Sequence, residues 1–277
     1  MFSSQRVARG ERLQTGLPSH ARWWAGTRGP AGVRGADGTK GAQGERGLQG
    51  AQGAQGVAGA KGEQGEKGED GSAAQLYNSR NCAALPDGPH YIKPDGNAAF
   101  QVECMQGMIV MQKRTSSSVD FYRNWQDYKT GFGDAANTWL GNDKIHRITK
   151  SGGRLRILLQ DGNGARAEAA YSGFSLAGEG DKYRLSASGY TGSAGDSLIP
   201  EHNGKMFTTY DNDNDVCSAN CAKSYRGGWW YGCCHHSNLN GQFLGPGHHG
   251  SYANGVNWYH WKGYHHSMKT AYMLISN

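Results

Sequence analysis

Residues 26–71 read GTRGPAGVRGADGTKGAQGERGLQGAQGAQGVAGAKGEQGEKGEDG, and this stretch decides the first part of the fold. Glycine occupies every third position through fifteen triplets without a break. Three polyproline-type chains can wind around one axis only if the residue at that axis is glycine. A flexible glycine-rich linker would instead be rich in serine and show no period. The stretch therefore predicts a collagen-type triple helix of three chains, roughly 130 Å long at about 3 Å per residue.

Composition and charge exclude several partners. The protein has 277 residues with a formal net charge of +6, and the basic residues form no block of the kind that follows a phosphate backbone. We therefore expect no nucleic acid partner. No run approaches the roughly 20 apolar residues that cross a bilayer, so we expect no membrane span. Residues 1–25 carry arginines where the apolar core of a signal peptide would lie, so we expect no clear signal peptide there.

The cysteines indicate the compartment. Six occur, all after residue 81. An even number at close spacing is typical of disulfides formed in an oxidising environment, which favours a secreted, extracellular protein. Zinc binding is the alternative, but Cys217 and Cys221 are separated by three residues and Cys233 adjoins Cys234. Because zinc sites usually use cysteine pairs separated by two residues, we favour disulfides.

The glycine period stops at residue 72, and all 14 tyrosines lie beyond it. Short apolar runs between Gly-, Asn- and Asp-rich turns predict strands. These runs are FQVECM, MIVMQ, RLRILLQ, KYRLSASGY and TAYMLIS. A helix is predicted within NWQDYKTGFG, residues 124–133. Together these elements predict a mixed α+β globular domain with much irregular structure.

Seven motifs, in order along the sequence, resemble the fibrinogen-like domain. They are SVDFYRNWQDYKTGFGD (118–134), WLGNDKIHRIT (139–149), KYRLSASGYTGSAGDSL (182–198), DNDNDVCSANCA (211–222), GGWWYGCCHHSNLNG (227–241), SYANGVNW (251–258) and WKGYHHSMKTAYM (261–273). The resemblance covers nearly all of 80–277, and a collagen stalk in front of such a domain is the ficolin arrangement. The predicted fold class is a collagen triple helix followed by an α+β fibrinogen-like globular domain.

The composition shifts and the resemblance together divide the protein into four parts. We expect an N-terminal segment at 1–25, a collagen-like triple helix at 26–71, a neck at 72–80 and the fibrinogen-like domain at 81–277. Because the stalk requires three chains, we expect a homotrimer, and possible assembly of several trimers stays open.

The loop DNDNDVCSAN (211–220) is a candidate metal site. Its carboxylates and carbonyls are the hard oxygen ligands that suit Ca²⁺. On spacing alone a solvated acidic turn is the simpler interpretation, and the loop lacks the glycine and distal glutamate of an EF-hand. The resemblance favours Ca²⁺. It implies that Asp213 and Asp215 bind the ion through their side chains, and Cys217 and Ala219 through their carbonyls.

The segment from residue 225 to 264 is a candidate site for an acetyl group. Such a site needs aromatic walls around the methyl and one or two fixed donors for the oxygen. Core packing is the alternative for each aromatic residue, and we prefer it for Trp229 and Trp230. Seven residues of this segment resemble those that form the acetyl site of tachylectins and ficolins. They are Tyr225, Cys233, Cys234, His235, Tyr252, Ala253 and Tyr264. The resemblance also implies a cis peptide between Cys233 and Cys234, and a backbone donor there.

Histidine is concentrated in the same region, with seven of the eleven between residues 235 and 266. No cysteine or carboxylate pattern there supports a closed metal site, so we interpret most of them as solvated loop residues. His235 is the exception, because the resemblance places it against the ligand. An imidazole titrates near pH 6.5 before any shift, so we expect sugar binding to weaken in mild acid.

The resemblance also implies a disulfide pairing. It pairs Cys82 with Cys104 and Cys221 with Cys234. The remaining cysteines, Cys217 and Cys233, would then form a third bond that is not typical of the family. Two of the three bonds would join the calcium loop to the acetyl site. We therefore expect calcium to control sugar binding without touching the sugar.

Two functions compete. The first is a secreted, trimeric pattern-recognition lectin of innate immunity, which binds acetylated glycans such as N-acetylglucosamine on microbial or host surfaces. The alternative is an extracellular-matrix or signalling protein whose head binds another protein. Because no Ser–His–Asp order, HExxH or P-loop occurs, we expect no enzyme activity. Ficolins recruit complement serine proteases through stalk lysines. No Pro-Gly-Lys motif occurs here, so that partner stays open.

Overall fold

The computed structural model describes residues 79–277. The predicted collagen stalk at 26–71 and the neck as far as residue 78 lie outside the described residues. The strands are β1 (Gly88–Ile92), β2 (Phe100–Met105), β3 (Met108–Arg114), β4 (Phe132–Gly133), β5 (Asn137–Trp139), β6 (Arg154–Gln160), β7 (Arg166–Leu176), β8 (Leu185–Gly192), β9 (Ser237–Asn238), β10 (Gly247–His248), β11 (Asn257–Trp258), β12 (His266–Ser267) and β13 (Thr270–Ser276). The helices are α1 (Trp125–Thr130), α2 (Asn142–Thr149), α3 (Ile199–His202), α4 (Cys221–Tyr225) and α5 (Tyr259–Lys262), with a short 3₁₀ turn at Glu179–Asp181.

One antiparallel sheet organises the domain. Its strand order is β1-β2-β3-β13-β6-β7-β8, with β5 paired to β3 and to β4. The strand β13 therefore lies between β3 and β6, where Met273 is opposite Gln112 on one side and Ile157 on the other. Because this central strand follows all the others in sequence, the sheet is complete only when the whole domain is present.

Alternation of residue types explains which face of the sheet is buried. In β6 the side chains of Leu155, Ile157 and Leu159 are buried, and those between them are partly or fully exposed. This period of two is the pattern of a strand with one face on the core. Helix α2 packs on the buried side, where the His146 ring lies 2.8 Å from the Leu176 carbonyl oxygen.

The predicted helix within residues 124–133 is confirmed as α1. The Asn124 side chain accepts the Asp127 N–H at 2.8 Å, which caps the helix start. Gly131 ends it with a φ of 96°, and a Cβ there would lie 2.4 Å from the Leu140 carbonyl oxygen. Only glycine fits that position.

Large aromatic side chains form part of the hydrophobic core. Trp229 and Trp230 are completely buried, which confirms that they belong to the core. Trp230 packs edge-on against Phe207 with ring centres 5.2 Å apart, and its indole N–H donates to the Tyr183 carbonyl at 2.8 Å. A buried tryptophan normally needs such a partner for its N–H.

Buried polar side chains connect the sheet to the irregular part of the domain. Arg114 of β3 is 1% exposed and donates to the carbonyls of Leu239 and Gly241 at 3.0 and 2.9 Å. Gln112 donates to the same Leu239 carbonyl at 2.9 Å. The sheet thus fixes the segment that follows residues 233–236. Among the helices of residues 79–277, none is both long and apolar enough to cross a bilayer.

Candidate ligand pocket and calcium loop

Three disulfides stabilise the described domain, of which two are the pairs implied by the resemblance and the third joins the two remaining cysteines. Cys82 bonds to Cys104, with Cα atoms 5.6 Å apart. The other two bonds are Cys217–Cys233 and Cys221–Cys234, with Cα separations of 4.8 and 5.7 Å. The sulfurs of Cys217, Cys221 and Cys234 lie within 4.8 Å of one another, as the ligands of a zinc ion would. Because each is in a disulfide, none is the thiolate that zinc requires.

The seven residues expected to bind an acetyl group line one cavity of about 180 Å³. They are Tyr225, Cys233, Cys234, His235, Tyr252, Ala253 and Tyr264. Two further residues, Glu201 and His236, also line it and were not predicted from the sequence. Larger cavities of about 790 and 580 Å³ lie along the sheet and contain none of these residues.

His235 forms the floor of this cavity. Its ring meets the ring of Tyr225 edge-on at 4.6 Å and that of Tyr231 at 5.8 Å. The side chain is 5% exposed, and neither ring nitrogen makes a hydrogen bond of normal geometry within residues 79–277. A buried polar group without a partner is uncommon in folded proteins, so these two nitrogens need an explanation.

The expected titration of His235 near pH 6.5 is wrong. Burial lowers its pKa to about 3, because the charged ring would be removed from water. The Ala253 backbone opposes the shift without forming a hydrogen bond of normal geometry. The ring is therefore neutral at pH 5, and the reason for expecting weaker binding in mild acid is removed.

Tyrosines form the outer wall. Tyr264 donates its hydroxyl to the His235 carbonyl at 3.1 Å, and its ring lies 5.2 Å from that of Tyr252. Tyr252 is 55% exposed, which is unusual for an aromatic side chain that belongs only to the core. The next residue, Ala253, has a φ of 61° and donates its N–H to the Tyr264 carbonyl at 3.1 Å.

The backbone supplies free donors at the same place. The peptide between Cys233 and Cys234 is cis, as the resemblance implied. The N–H groups of Cys234 and His235 donate to no acceptor within the part of the protein that the structure describes. The neighbouring N–H groups of His236 and Ser237, in contrast, both donate to the Nε2 atom of His202, at 3.1 and 3.0 Å. The cavity therefore combines aromatic walls with two unused backbone donors.

The expected calcium loop lies directly beside this cavity. The Asp215 carboxylate accepts the N–H of Cys217 at 2.9 Å and that of Cys221 at 2.8 Å. Burial raises the pKa of Asp215, and the nearby charge of Asp213 raises it further. Such a pair of carboxylates is stabilised by a cation.

Two backbone carbonyls of the loop are also available to a cation. Within residues 79–277 the carbonyl oxygens of Cys217 and Ala219 accept no hydrogen bond. Two carboxylates and two unpaired carbonyls are hard oxygen donors of the kind that Ca²⁺ takes. The sequence-predicted set of Asp213, Asp215, Cys217 and Ala219 is therefore chemically suited to calcium.

Two family models match this sequence. The family model for the C-terminal globular domain of the fibrinogen beta and gamma chains matches residues 84–277, and that of the collagen triple helix repeat matches residues 23–76. Ryncolin-4 of Cerberus rynchops is 44% identical over 71% of this chain and 60% of its own length. Angiopoietin-related protein 7 of Mus musculus is 40% identical over 68% of this chain and 58% of its own length. The chain thus spans about three fifths of these relatives.

Solved structures agree with the fold. The fibrinogen-like globe domain of human ANGPTL2 is 39% identical, with a TM-score of 0.69 over 72% of this chain and 98% of that one. Lamprey fibrin D-dimer, solved with the peptide Gly-His-Arg-Pro-amide, is 32% identical, with a TM-score of 0.65 over 76% of this chain and 78% of that one. The chain therefore belongs to the family of the fibrinogen C-terminal globular domain, and it carries that domain behind a collagen triple helix repeat, which is the ficolin-like arrangement.

Proposed function

We propose that this protein is a secreted lectin that binds acetylated sugars through the cavity around His235. The observation that supports the proposal is the cavity itself. Seven residues selected for their resemblance to an acetyl site lie around one space of about 180 Å³, although up to 39 positions separate them in the sequence, from Tyr225 to Tyr264.

The chemistry of the cavity matches an acetyl group. Its methyl would lie among the rings of Tyr225, His235 and Tyr264, where apolar surface is removed from water. Its carbonyl oxygen would accept the free N–H groups of Cys234 and His235. Nothing in this arrangement activates a nucleophile, so we propose a binding site without catalysis.

Affinity would come from several heads acting together. A cavity of this size holds one small group, and one such contact is weak. A collagen repeat joins three chains, so three heads would reach a surface at once. Linking binding sites in this way can raise apparent affinity by about 10²–10⁴-fold. Proteins built from collagen and fibrinogen-like domains are typically secreted, which suits a role on microbial or host surfaces.

We also propose that Ca²⁺ binds the loop at 213–219. Asp213 and Asp215 would hold it through carboxylates, and Cys217 and Ala219 through carbonyls. The ion would supply positive charge that neutralises two adjacent carboxylates. The protein's own disulfides then connect this loop to Cys233 and Cys234 in the cavity wall.

Retention on two matched resins tests the acetyl proposal. We expect the purified full-length protein to bind N-acetylglucosamine-agarose in calcium and not glucosamine-agarose, which lacks only the acetyl group. Free N-acetylglucosamine should elute it. Equal retention on both resins, or retention on neither, would overturn the proposal.

A protein-binding head is the second candidate. The lamprey fibrin D-dimer shares this fold and was solved with a peptide ligand, and the angiopoietin-related relatives carry the same domain. If the head binds a protein, a glycan array should show no acetyl-dependent signal, and the Tyr252→Ala variant should bind cells as the native protein does. An array signal confined to acetylated glycans would favour the lectin.

A further inference from the structure

Glu201 places a carboxylate in the cavity wall, and neither the motifs nor the spacing of the sequence pointed to it. It lies on α3, more than 30 positions before the cysteines that it faces. Its place in the cavity needs a reason, because a negative charge beside an apolar methyl site gives no advantage by itself.

The carboxylate is held firmly. Its Oε1 atom accepts the N–H of Cys233 at 2.9 Å. A Cβ on Gly232 would lie 1.9 Å from the same oxygen, so the carboxylate occupies space that glycine leaves open. The adjoining residue His202 accepts two further N–H groups from the cavity segment. Consecutive residues of α3 therefore fix the carboxylate against the cavity.

The other oxygen is available. Within residues 79–277 the Oε2 atom of Glu201 makes no hydrogen bond, and no ion pair includes this residue. The carboxylate is half-buried and keeps an acceptor free in the same cavity as the free N–H groups of Cys234 and His235. The cavity thus offers two donors and one charged acceptor.

That pattern complements an acetamide rather than an acetate ester. Both groups present a methyl and a carbonyl oxygen, which the rings and the backbone donors would accept. Only the acetamide also has an N–H to donate. An ester places an oxygen at that position, and an oxygen facing a carboxylate has no proton to share and is repelled.

We propose that Glu201 is a specificity-determining residue that accepts the amide N–H of N-acetylated sugars and thereby selects them over O-acetylated ones. The inference rests on the proposed acetyl site. It names the class of ligand that the site takes, which is a sugar acetamide. A hydrogen bond to a charged acceptor accounts for a preference of about tenfold or more.

Two sugars that differ at one atom test it. We would compare methyl 2-acetamido-2-deoxy-β-glucoside with methyl 2-O-acetyl-β-glucoside as inhibitors of the full-length protein on N-acetylated albumin. The native protein should prefer the acetamide by about tenfold. In Glu201→Gln the preference should fall to about onefold, because the acetamide loses its charged acceptor and the ester no longer faces a carboxylate oxygen. The glutamine keeps an oxygen for the Cys233 N–H and turns its NH₂, a donor, toward the ligand.

A matched control separates selection from general damage. Tyr252→Ala removes an exposed wall and should weaken both inhibitors while the ratio between them stays near the native value. Near-ultraviolet circular dichroism should show that each variant retains the native packing. If the glutamine variant does not fold, Glu201→Asp takes its place in the test. This variant keeps the charge and should retain part of the preference.

The outcomes are distinct. Equal inhibition of the native protein by both sugars would leave the acetyl site intact and overturn the role of Glu201. A preference that survives in Glu201→Gln would overturn it as well. If neither sugar inhibits the native protein, the proposed function fails, and the specificity of Glu201 fails with it.

Discussion

The ring of His235 meets the ring of Tyr225 edge-on, with their centres 4.6 Å apart, at the floor of the cavity. Because this burial lowers the pKa of His235 to about 3, roughly 1% of the rings carry a proton at pH 5. His236 is the other imidazole in the cavity wall. In a His236→Gln background we therefore expect the affinity for N-acetylglucosamine to change less than about twofold between pH 7.5 and 5. Surface plasmon resonance with calcium saturating at each pH would measure it, because protonation of Asp215 could otherwise release the ion. A steady loss of affinity toward pH 5 would then contradict the neutral ring.

Stability, in contrast with binding, should depend on pH. Burial lowers the pKa of both His202 and His235 to about 3. Below about pH 6.5 the unfolded state takes up protons that the folded state cannot, so the free energy of unfolding should fall steadily from pH 6.5 to about 3. At pH 5 each histidine should cost on the order of 2 kcal/mol.

Urea unfolding of the head at pH 7.5, 6 and 5 would check this. The His202→Gln variant should be less stable at pH 7.5, since the Nε2 atom that accepts two N–H groups is lost, but its free energy of unfolding should fall less steeply toward pH 5. An unchanged slope would show that His202 does not remain neutral.

The proposed calcium loop and the cavity share two covalent connections. Cys217 bonds to Cys233, and Cys221 bonds to Cys234, while Asp215 accepts the N–H groups of both loop cysteines. Removing calcium should leave two adjacent carboxylates unneutralised and loosen the loop. We expect chelation to lower binding to N-acetylated albumin, and added Ca²⁺ to restore it.

Asp213→Asn should raise the calcium concentration needed for half-maximal binding by at least about tenfold. Loss of a residue that only supports a metal ligand already weakens metal binding by that much, and Asp213 is proposed as a ligand itself. Asp181→Asn, which changes an equal charge in an ion pair with Arg184, should leave it unchanged. Full binding by chelated protein would show that the two sites are independent.

The bond between Cys217 and Cys233 should contribute less to stability than its length alone suggests. It spans 16 residues, but the bond between Cys221 and Cys234 already closes an overlapping stretch of 13. We expect the double variant Cys217→Ser/Cys233→Ser to lose about 2 kcal/mol, the low end of the usual range. Urea unfolding would measure this, and a count of free thiols should be zero in both proteins. A loss above about 4 kcal/mol would contradict the overlap argument.

The glycine register of the stalk should control avidity. Replacing Gly50 by aspartate places a side chain at the crowded axis of the triple helix. We expect the variant to lose retention on a dense N-acetylglucosamine surface, by about 10²-fold or more, because fewer heads act together. Its affinity for a monovalent sugar in solution should stay native. Light scattering that finds the native protein to be a monomer would remove the basis for this prediction.

The sequence predicted those helices and strands in which the residue types match the structure that they form. The helix at 125–130 has an asparagine cap and a terminal glycine, and the alternating strand at 154–160 has one apolar face. Strand β7 escaped prediction, although it is the longest described, because RAEAAYSGFSL is rich in alanine and contains glutamate, residues that favour helices when isolated. Pairing with β6 and β8 overrides that preference.

The residues of the candidate site were likewise predicted only in part. The resemblance identified residues such as Tyr252 and Ala253 because they belong to quoted motifs. Glu201 could not be found in that way, because only the folded structure brings it next to the cavity. Its Oε1 atom contacts the Cys233 N–H, which lies far from it in the sequence. The pKa of His235 was also beyond the sequence, because it depends on burial, and no residue type indicates that.

The adjacency of Cys233 and Cys234 has a consequence for producing the protein. The sulfur of Cys234 lies 3.7 Å from that of Cys217, although Cys217 is bonded to Cys233. An exchanged pairing, Cys217 with Cys234 and Cys221 with Cys233, is therefore close in space to the native one. With both bonds formed these cysteines carry no thiolate, so an external thiol must first open one bond as a mixed disulfide. The cysteine thiolate released then attacks the neighbouring disulfide, and a last exchange expels the external thiol and completes the other pairing. A host that oxidises cysteines without reshuffling them should accumulate both isomers, so recombinant expression needs a disulfide isomerase for a homogeneous product.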